Sequence, residues 1–197
     1  MKTKSIILVG VGGQGSVVAS RILGNLLLSQ GFDAKVSEVH GMSQRGGAVS
    51  TYVKYGKEVH SPVVEKGEAD IMVAFEQMEA ARWLSYLKIG GKLIVSTQKL
   101  PPMPVITGAA QYNENIIDKI KALGVDTISV DALGLAVQAG NARTSNVVMM
   151  GVLSNIMDFE LAAWQKALEE SVPPKALEEN KKAFELGRNI SEKVKEV

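Results

Sequence analysis

Hydrophobic and polar positions change period several times along the chain, and each change marks an element. Ser5 to Val9 is a short apolar run that ends in glycines, as a buried strand does. Val17, Val18, Ile22, Leu23, Leu26 and Leu27 then recur at helical spacing up to Gly31. Ala34 to Val39 mixes small, charged and β-branched residues and predicts a second strand, so the chain opens as βαβ. Ala48 to Val53 and Glu58 to Val64 predict two further strands forming a hairpin around Tyr55-Gly56-Lys57, with Pro62 placing the second near a sheet edge.

Beyond the hairpin the alternation resumes. Ile71 to Phe75 predicts a buried strand, Glu79 to Leu87 a helix, Gly90-Gly91 a turn and Lys92 to Ser96 another strand. After a proline-rich loop at Leu100 to Pro104, Asn115 to Leu123 fits a helix closed by Gly124, and Thr127 to Val130 a strand. Asp131 stands where it can cap the next helix. From Ala132 onward the pattern is helical, with breaks at Gly140, around Asp158 and at Val172-Pro173-Pro174. Val147 to Met157 is apolar nearly all round and belongs inside, whereas Lys175 to Val194 is amphipathic. The expected architecture is one α/β domain over 1–197. It is a three-layer Rossmann-like, mostly parallel sheet with an inserted antiparallel hairpin and a helical C-terminal region, 158–197 forming the tail.

Composition narrows the chemistry. The 197 residues are 46% hydrophobic and 22% charged, ordinary for a globular chain with a sizeable core. Lys and Arg number 22 against 21 acidic residues, so the net charge of +1 supplies no field for nucleic acid or an anionic membrane. No charge-free span reaches about 18 residues, which leads to the expectation of a soluble, cytoplasmic protein. Cysteine is absent, so thiolate catalysis, disulfides and cysteine-held iron–sulfur clusters are excluded for this chain. His40 and His60 are the only imidazoles, with no His/Glu spacing of a metal site, and no metal is expected.

The first candidate site is Gly10-Val11-Gly12-Gly13-Gln14-Gly15, a G-x-G-x-x-G run between a predicted strand and a predicted helix. Glycine permits the tight turn and lets backbone N–H groups approach an anion at the helix start, where the macrodipole favours negative charge. The same glycines also allow simple close packing of strand against helix. A dinucleotide site would need an acid about 20 positions on, at the end of the second strand. Glu38 stands 23 residues after Gly15, but the hairpin that follows departs from a plain dinucleotide domain. The second candidate is the loop His40-Gly41-Met42-Ser43-Gln44-Arg45-Gly46-Gly47, expected at the same edge of the sheet. There Arg45 would pair with a phosphate or carboxylate reached by both loops, or serve a subunit interface.

The glycine turn at 10–15 followed by His-Gly-Met-Ser-Gln-Arg-Gly-Gly at 40–47 resembles the gamma-type component of 2-oxoacid:ferredoxin oxidoreductases, within them most the indolepyruvate beta subunit. Also similar are His60-Ser61-Pro62, Glu68-Ala69-Asp70 with Glu76 and Glu79 beyond it, and Gly140-Asn141-Ala142-Arg143-Thr144-Ser145-Asn146, so the likeness spans roughly residues 5 to 155. It implies oxidative decarboxylation of an aryl 2-oxoacid to an acyl-CoA, with electrons passing to ferredoxin. It implies a larger partner subunit bearing thiamine diphosphate, magnesium and iron–sulfur clusters, this chain holding none of them alone. The resemblance carries ligand binding, with coenzyme A as the guest, onto Gly10, Gly12, Gly13, Gln14, Gly15, Ser43, Gln44, Arg45, Gly46 and Gly47. No catalytic acid, base or nucleophile is assigned to this chain.

Other polar residues have ordinary readings. Asn141, Arg143 and Asn146 stand between two predicted helices and suit capping. Glu76 and Glu79 suit dipole complementarity at a helix start better than general base catalysis. His40 and His60 read as hydrogen-bonding loop residues. Met149, Met150 and Met157 read as packing, and Trp83 and Trp164 as core or interface anchors. An independent NAD(P)- or FAD-binding oxidoreductase and a non-catalytic nucleotide-binding regulator remain as alternatives, the first resting on the glycine turn and Glu38.

Overall fold

The computed structural model describes residues 3–39 and 47–194, with side chains described to residue 190. Six strands form one sheet: β1 (Lys4–Val11), β2 (Asp33–Val39), β3 (Ala48–Gly56), β4 (Ala69–Ala74), β5 (Leu87–Ser96) and β6 (Asp126–Val130). Their spatial order is β2-β3-β1-β4-β5-β6. β1, β4, β5 and β6 pair in parallel, while β3 is antiparallel to both β1 and β2 and alone runs opposite to the other five strands.

The helices are α1 (Ser16–Ser29), α2 (Gln77–Trp83), α3 (Met103–Ile106), α4 (Ile116–Ala122), α5 (Ala132–Ala139), α6 (Ser145–Ser154), α7 (Leu161–Ser171) and α8 (Leu177–Val194). Strand alternation sorts the core onto two faces. Ile6 and Leu8 of β1 point toward α1, α6, α7 and α8, whereas Ile7 and Val9 point toward α2 and α4. α6 is buried from Asn146 to Ser154, as its apolar composition requires, and Met149, Met150 and Met157 lie in the core. It meets α8 backbone to backbone: a Cβ on Gly151 would fall 2.1 Å from the Phe184 carbonyl oxygen, and one on Gly187 would fall 2.0 Å from that of Val148. No helix among the described residues is long and apolar enough to cross a membrane.

Three local expectations are corrected. The hairpin partner of β3 is β2, which precedes it, rather than Glu58 to Val64; that stretch is irregular, with Val59 and Val64 packed inward. The reason lies in β3, which is buried on both faces along nearly its whole length and fits between two strands, not at an edge. Gly90-Gly91 is not a turn between elements but a bulge within β5: from Ala69↔Leu87 to Ile71↔Lys92, β4 advances two residues and β5 five. Gly90, at φ 76°, takes the bend. The helix expected over Glu79 to Leu87 ends at Trp83 and tightens through a 3₁₀ turn at Leu84–Tyr86 before β5.

Candidate functional site

The glycine run divides between strand and turn. Gly10 and Val11 still belong to β1 and pair with Val49 and Ala48 of β3. Gly13 (φ 99°) and Gly15 (φ 82°) then take left-handed conformations, and Gly15 opens α1 as its N-cap. That cap has no side chain over the helix start, and the first turn holds no acidic residue. The amides of α1 ahead of Val18 have no intrahelical acceptor, and the positive end of the helix dipole lies at the carboxyl edge of β1. Chemically, a helix start of this kind can receive an anion.

Three side-chain amides shape the turn. Gln14 folds back over Gly10, its Oε1 accepting from Val11 N at 2.7 Å. Its Nε2 donates to Phe75 O and to Gln98 Oε1, both at 2.9 Å. Gln14 thereby braces the carboxyl ends of β1, β4 and β5, and a Cβ on Gly10 would lie 2.8 Å from Gln14 Oε1, so a larger residue there would displace the brace. Asn146, at the start of α6, donates Nδ2 to Gly15 O at 3.0 Å, and a Cβ on Gly15 would fall 2.6 Å from that nitrogen. The Gly12 amide donates to Gly47 O at 2.8 Å, so the end of the second loop is anchored on the turn. His40 to Gly46, including Ser43, Gln44, Arg45 and Gly46, lie outside the described residues.

Glu38 sits on the wrong strand for a dinucleotide ribose. β3 intervenes between β1 and β2, setting Glu38 roughly 5 Å further from the glycine turn than a β2 directly beside β1 would. Its Oε1 accepts from Ser20 Oγ of α1 at 2.8 Å.

The remaining polar residues hold structure together. Glu76 is buried and caps α2, Oε2 accepting from Glu79 N at 2.9 Å, while Oε1 accepts from Leu100 N at 3.3 Å and from the Tyr112 hydroxyl. Burial, and next the Glu76 carboxylate, push the Tyr112 phenol up. Glu79 is 4% exposed; its Oε1 accepts from Arg82 Nε at 3.1 Å, and its Oε2 is buried with no hydrogen-bond partner among the described residues. Desolvation raises the Glu79 carboxyl above the usual range, and the nearby Arg82 only partly offsets it. Asn141 caps the 3₁₀ turn Ala142–Thr144 by accepting from Arg143 N at 3.0 Å. Asn146 is not a cap: its side chain reaches the glycine turn instead. His60 is exposed beside Glu58. Trp164 is wholly buried against Phe184, and Trp83 packs on Tyr86. Gln98 and Phe75, which complete the turn, carried no signal in the sequence.

Fold and turn together define an α/β protein of the broad Rossmann-like class in which one reversed strand separates the first two parallel positions. The chain belongs to the pyruvate ferredoxin/flavodoxin oxidoreductase family, whose pattern matches residues 5–190. It is 41% identical over 194 residues to the indolepyruvate oxidoreductase subunit IorB of Thermococcus kodakarensis, covering 95% of each chain. It is 32% identical over 191 residues to the 2-oxoglutarate synthase subunit KorC of Methanothermobacter thermautotrophicus, covering 95% of this chain and 94% of that one. Its fold matches the crystal structure of the keto/oxoacid ferredoxin oxidoreductase gamma subunit from Geobacter sulfurreducens, with a TM-score of 0.70, 24% identity, and coverage of 93% of this chain and 95% of that one.

Proposed function

We propose that this chain is the cofactor-free subunit of an indolepyruvate-type 2-oxoacid:ferredoxin oxidoreductase, and that its glycine turn receives the pyrophosphate of coenzyme A. The complex would decarboxylate an aryl 2-oxoacid oxidatively, releasing carbon dioxide, joining the acyl group to coenzyme A and passing the electrons to ferredoxin. The single observation that carries the ligand reading is the start of α1, left without a side-chain cap or acidic residue beside the left-handed Gly15. Likeness to the indolepyruvate subunit at 41% identity, against 32% for the 2-oxoglutarate one, supports the substrate class.

Thiamine diphosphate, magnesium and iron–sulfur clusters do not fit the residues of this chain. Cysteine is lacking, no Gly-Asp-Gly segment precedes paired asparagines, and among the described residues no three of His, Asp and Glu come together as ligands. These groups belong on the larger subunit of a hetero-oligomer. This chain's own work is to orient coenzyme A: helix-start amides hold the pyrophosphate, Arg45 pairs with a phosphate, and Gly47, two residues beyond Arg45 in sequence, is bonded to the turn through Gly12 N.

Co-expression with the natural partner, followed by coenzyme A titration of dye reduction with several 2-oxoacids, tests the reading. The isolated chain should be colourless and inactive toward 2-oxoacids. In the assembled enzyme Arg45→Ala should raise the apparent coenzyme A constant roughly ten- to hundredfold, as loss of a charge-assisted hydrogen bond does. Arg45→Lys should recover only part of that, because a point charge replaces a fork of donors. A raised subunit dissociation constant with unchanged coenzyme A affinity would move Arg45 to the interface. Turnover by this chain alone would overturn the assignment.

A further inference from the structure

Hydrogen bonding fixes the orientation of one more carboxamide beside the glycine turn. Val11 N can only donate and Phe75 O can only accept, so Gln14, bonded to both, must turn Oε1 to the first and Nε2 to the second. The remaining hydrogen of Gln14 Nε2 goes to Gln98 at 2.9 Å, and Gln98 must therefore meet it with Oε1. Its own Nε2, with two hydrogens, lies on the other side of the carboxamide. No acceptor for it exists among the described residues.

The acceptors flanking Gln98 are engaged elsewhere. Phe75 O takes Gln14 Nε2, Thr97 O takes Gln77 Nε2 at 2.6 Å, and Gln98 O takes Gln77 N at 3.3 Å. The Glu76 carboxylate accepts from Glu79 N, Leu100 N and the Tyr112 hydroxyl. Gln98 is also held through its backbone, N donating to Ser96 Oγ at 3.2 Å, so this half-buried side chain starts from a fixed point just beyond β5. Held at both ends, it has given up the rotamer freedom of a free glutamine before any ligand arrives. Donors therefore exceed acceptors here: Gln98 Nε2 on one side of Gln14, and Ser16 N and Val17 N on the other, are unmatched among the described residues. A group made of acceptor oxygens completes such a set.

We infer that Gln98 is a ligand-binding residue of the glycine turn, its Nε2 donating to a phosphate oxygen of the group held at the start of α1. The inference rests on the functional reading above and adds a neutral donor to the amides and the arginine assigned there. A single hydrogen bond separates Gln98 from Gln14, the residue that precedes Gly15, so one ligand group can meet both Gln98 and the helix start. Phosphate, rather than a carbonyl further along the ligand, suits the position because the α1 dipole already draws negative charge to it and a bond to a charged oxygen is the stronger one.

The test uses the full chain assembled with its co-expressed larger subunit, and inorganic pyrophosphate as a probe of the anion alone. In the unaltered enzyme pyrophosphate should compete with coenzyme A. Gln98→Glu keeps an oxygen for Gln14 Nε2 but replaces the donor with a second carboxylate oxygen. The melting temperature of the isolated chain should therefore hold, while the apparent coenzyme A constant and the pyrophosphate inhibition constant both rise about tenfold or more. Gln98→Met removes acceptor and donor together, so it should lower the melting temperature and weaken both ligands. A residue that only braces Gln14 gives another pattern, Gln98→Glu silent and Gln98→Met not, and that result would overturn the inference. So would a raised coenzyme A constant in Gln98→Glu with unchanged pyrophosphate inhibition, which would put the donor on another part of the ligand. Both of these leave the functional reading standing. If pyrophosphate does not compete in the unaltered enzyme, the turn holds no pyrophosphate, and the functional reading falls together with this inference.

Discussion

Asn146 donates its side-chain amide to the Gly15 carbonyl at 3.0 Å, joining the start of α6 to the start of α1 across 131 residues of chain. The same oxygen accepts from Val18 N and Ala19 N, each at 3.1 Å, so three donors fix one peptide plane. That plane sets the direction in which the leading amides of α1 point. Asn146 is itself only 4% exposed, so the bond is shielded from competing water.

Asn146→Ala should therefore lower the unfolding free energy by about 1 kcal/mol, the usual loss for one neutral hydrogen bond. In the assembled enzyme it should also weaken coenzyme A, because the helix start loses its fixed direction. Urea titration reads the first effect and coenzyme A dependence the second. Unchanged coenzyme A affinity beside a normal loss of stability would confine Asn146 to packing.

Gly15→Ala meets two obstacles. At φ 82° an L-residue costs about 1–2 kcal/mol, and the new Cβ would fall 2.6 Å from Asn146 Nδ2. Removing Asn146 relieves only the second. The double variant Gly15→Ala/Asn146→Ala should thus lose less stability than the two single changes summed, by about 0.5 kcal/mol or more. A double-mutant cycle by denaturant unfolding measures the coupling, and strict additivity would count against the contact.

Two helical glycines should respond in opposite directions. A Cβ on Gly151 would press on the backbone of α8, 2.1 Å from Phe184 O and 2.9 Å from Arg188 N, so Gly151→Ala must force α6 and α8 apart at about 3 kcal/mol or more. On Gly24, within α1, the nearest atom to a Cβ is Val36 Cγ2 at 3.9 Å, an ordinary contact. Gly24→Ala should stabilise by about 0.5–1 kcal/mol through helix propensity. Melting curves of the two variants give the comparison.

Glu79 makes stability depend on pH. Its carboxyl titrates above the ordinary glutamate value in the folded chain, chiefly through desolvation. Between the unfolded and the raised folded value the native state binds more protons, so this group's contribution falls as pH rises through that window. Glu79→Gln should flatten this part of the profile. At neutral pH it should leave the chain at least as stable, since a neutral amide oxygen can still accept from Arg82. A steeper profile in the variant would show that the charged form is the favoured one.

Much of this protein was legible without its fold. The period changes located β1, α1, β4, α4, β6 and the helical C-terminal third, because apolar spacing follows from which face of an element leaves water. The glycine run, the absence of cysteine and the balanced charge bounded the chemistry, since each depends on residue type alone. The role of Asp131 as a cap, accepting from Gly134 N at 3.0 Å, was equally local.

What tertiary structure decided concerns partners distant in sequence. The strand seen at Ala48 had to choose between a later neighbour and an earlier one, and its two-faced burial, a property of the assembled sheet, placed it between β1 and β2. That choice moved Glu38 away from the glycine turn, although its spacing had suited a ribose. Gln14 meets Phe75 and Gln98, and Gly15 meets Asn146, only because β4, β5 and α6 end at the same edge of the sheet. No local period records such meetings: the sequence determined which residues could turn, cap or be buried, and packing of whole elements determined which amides came to surround the turn.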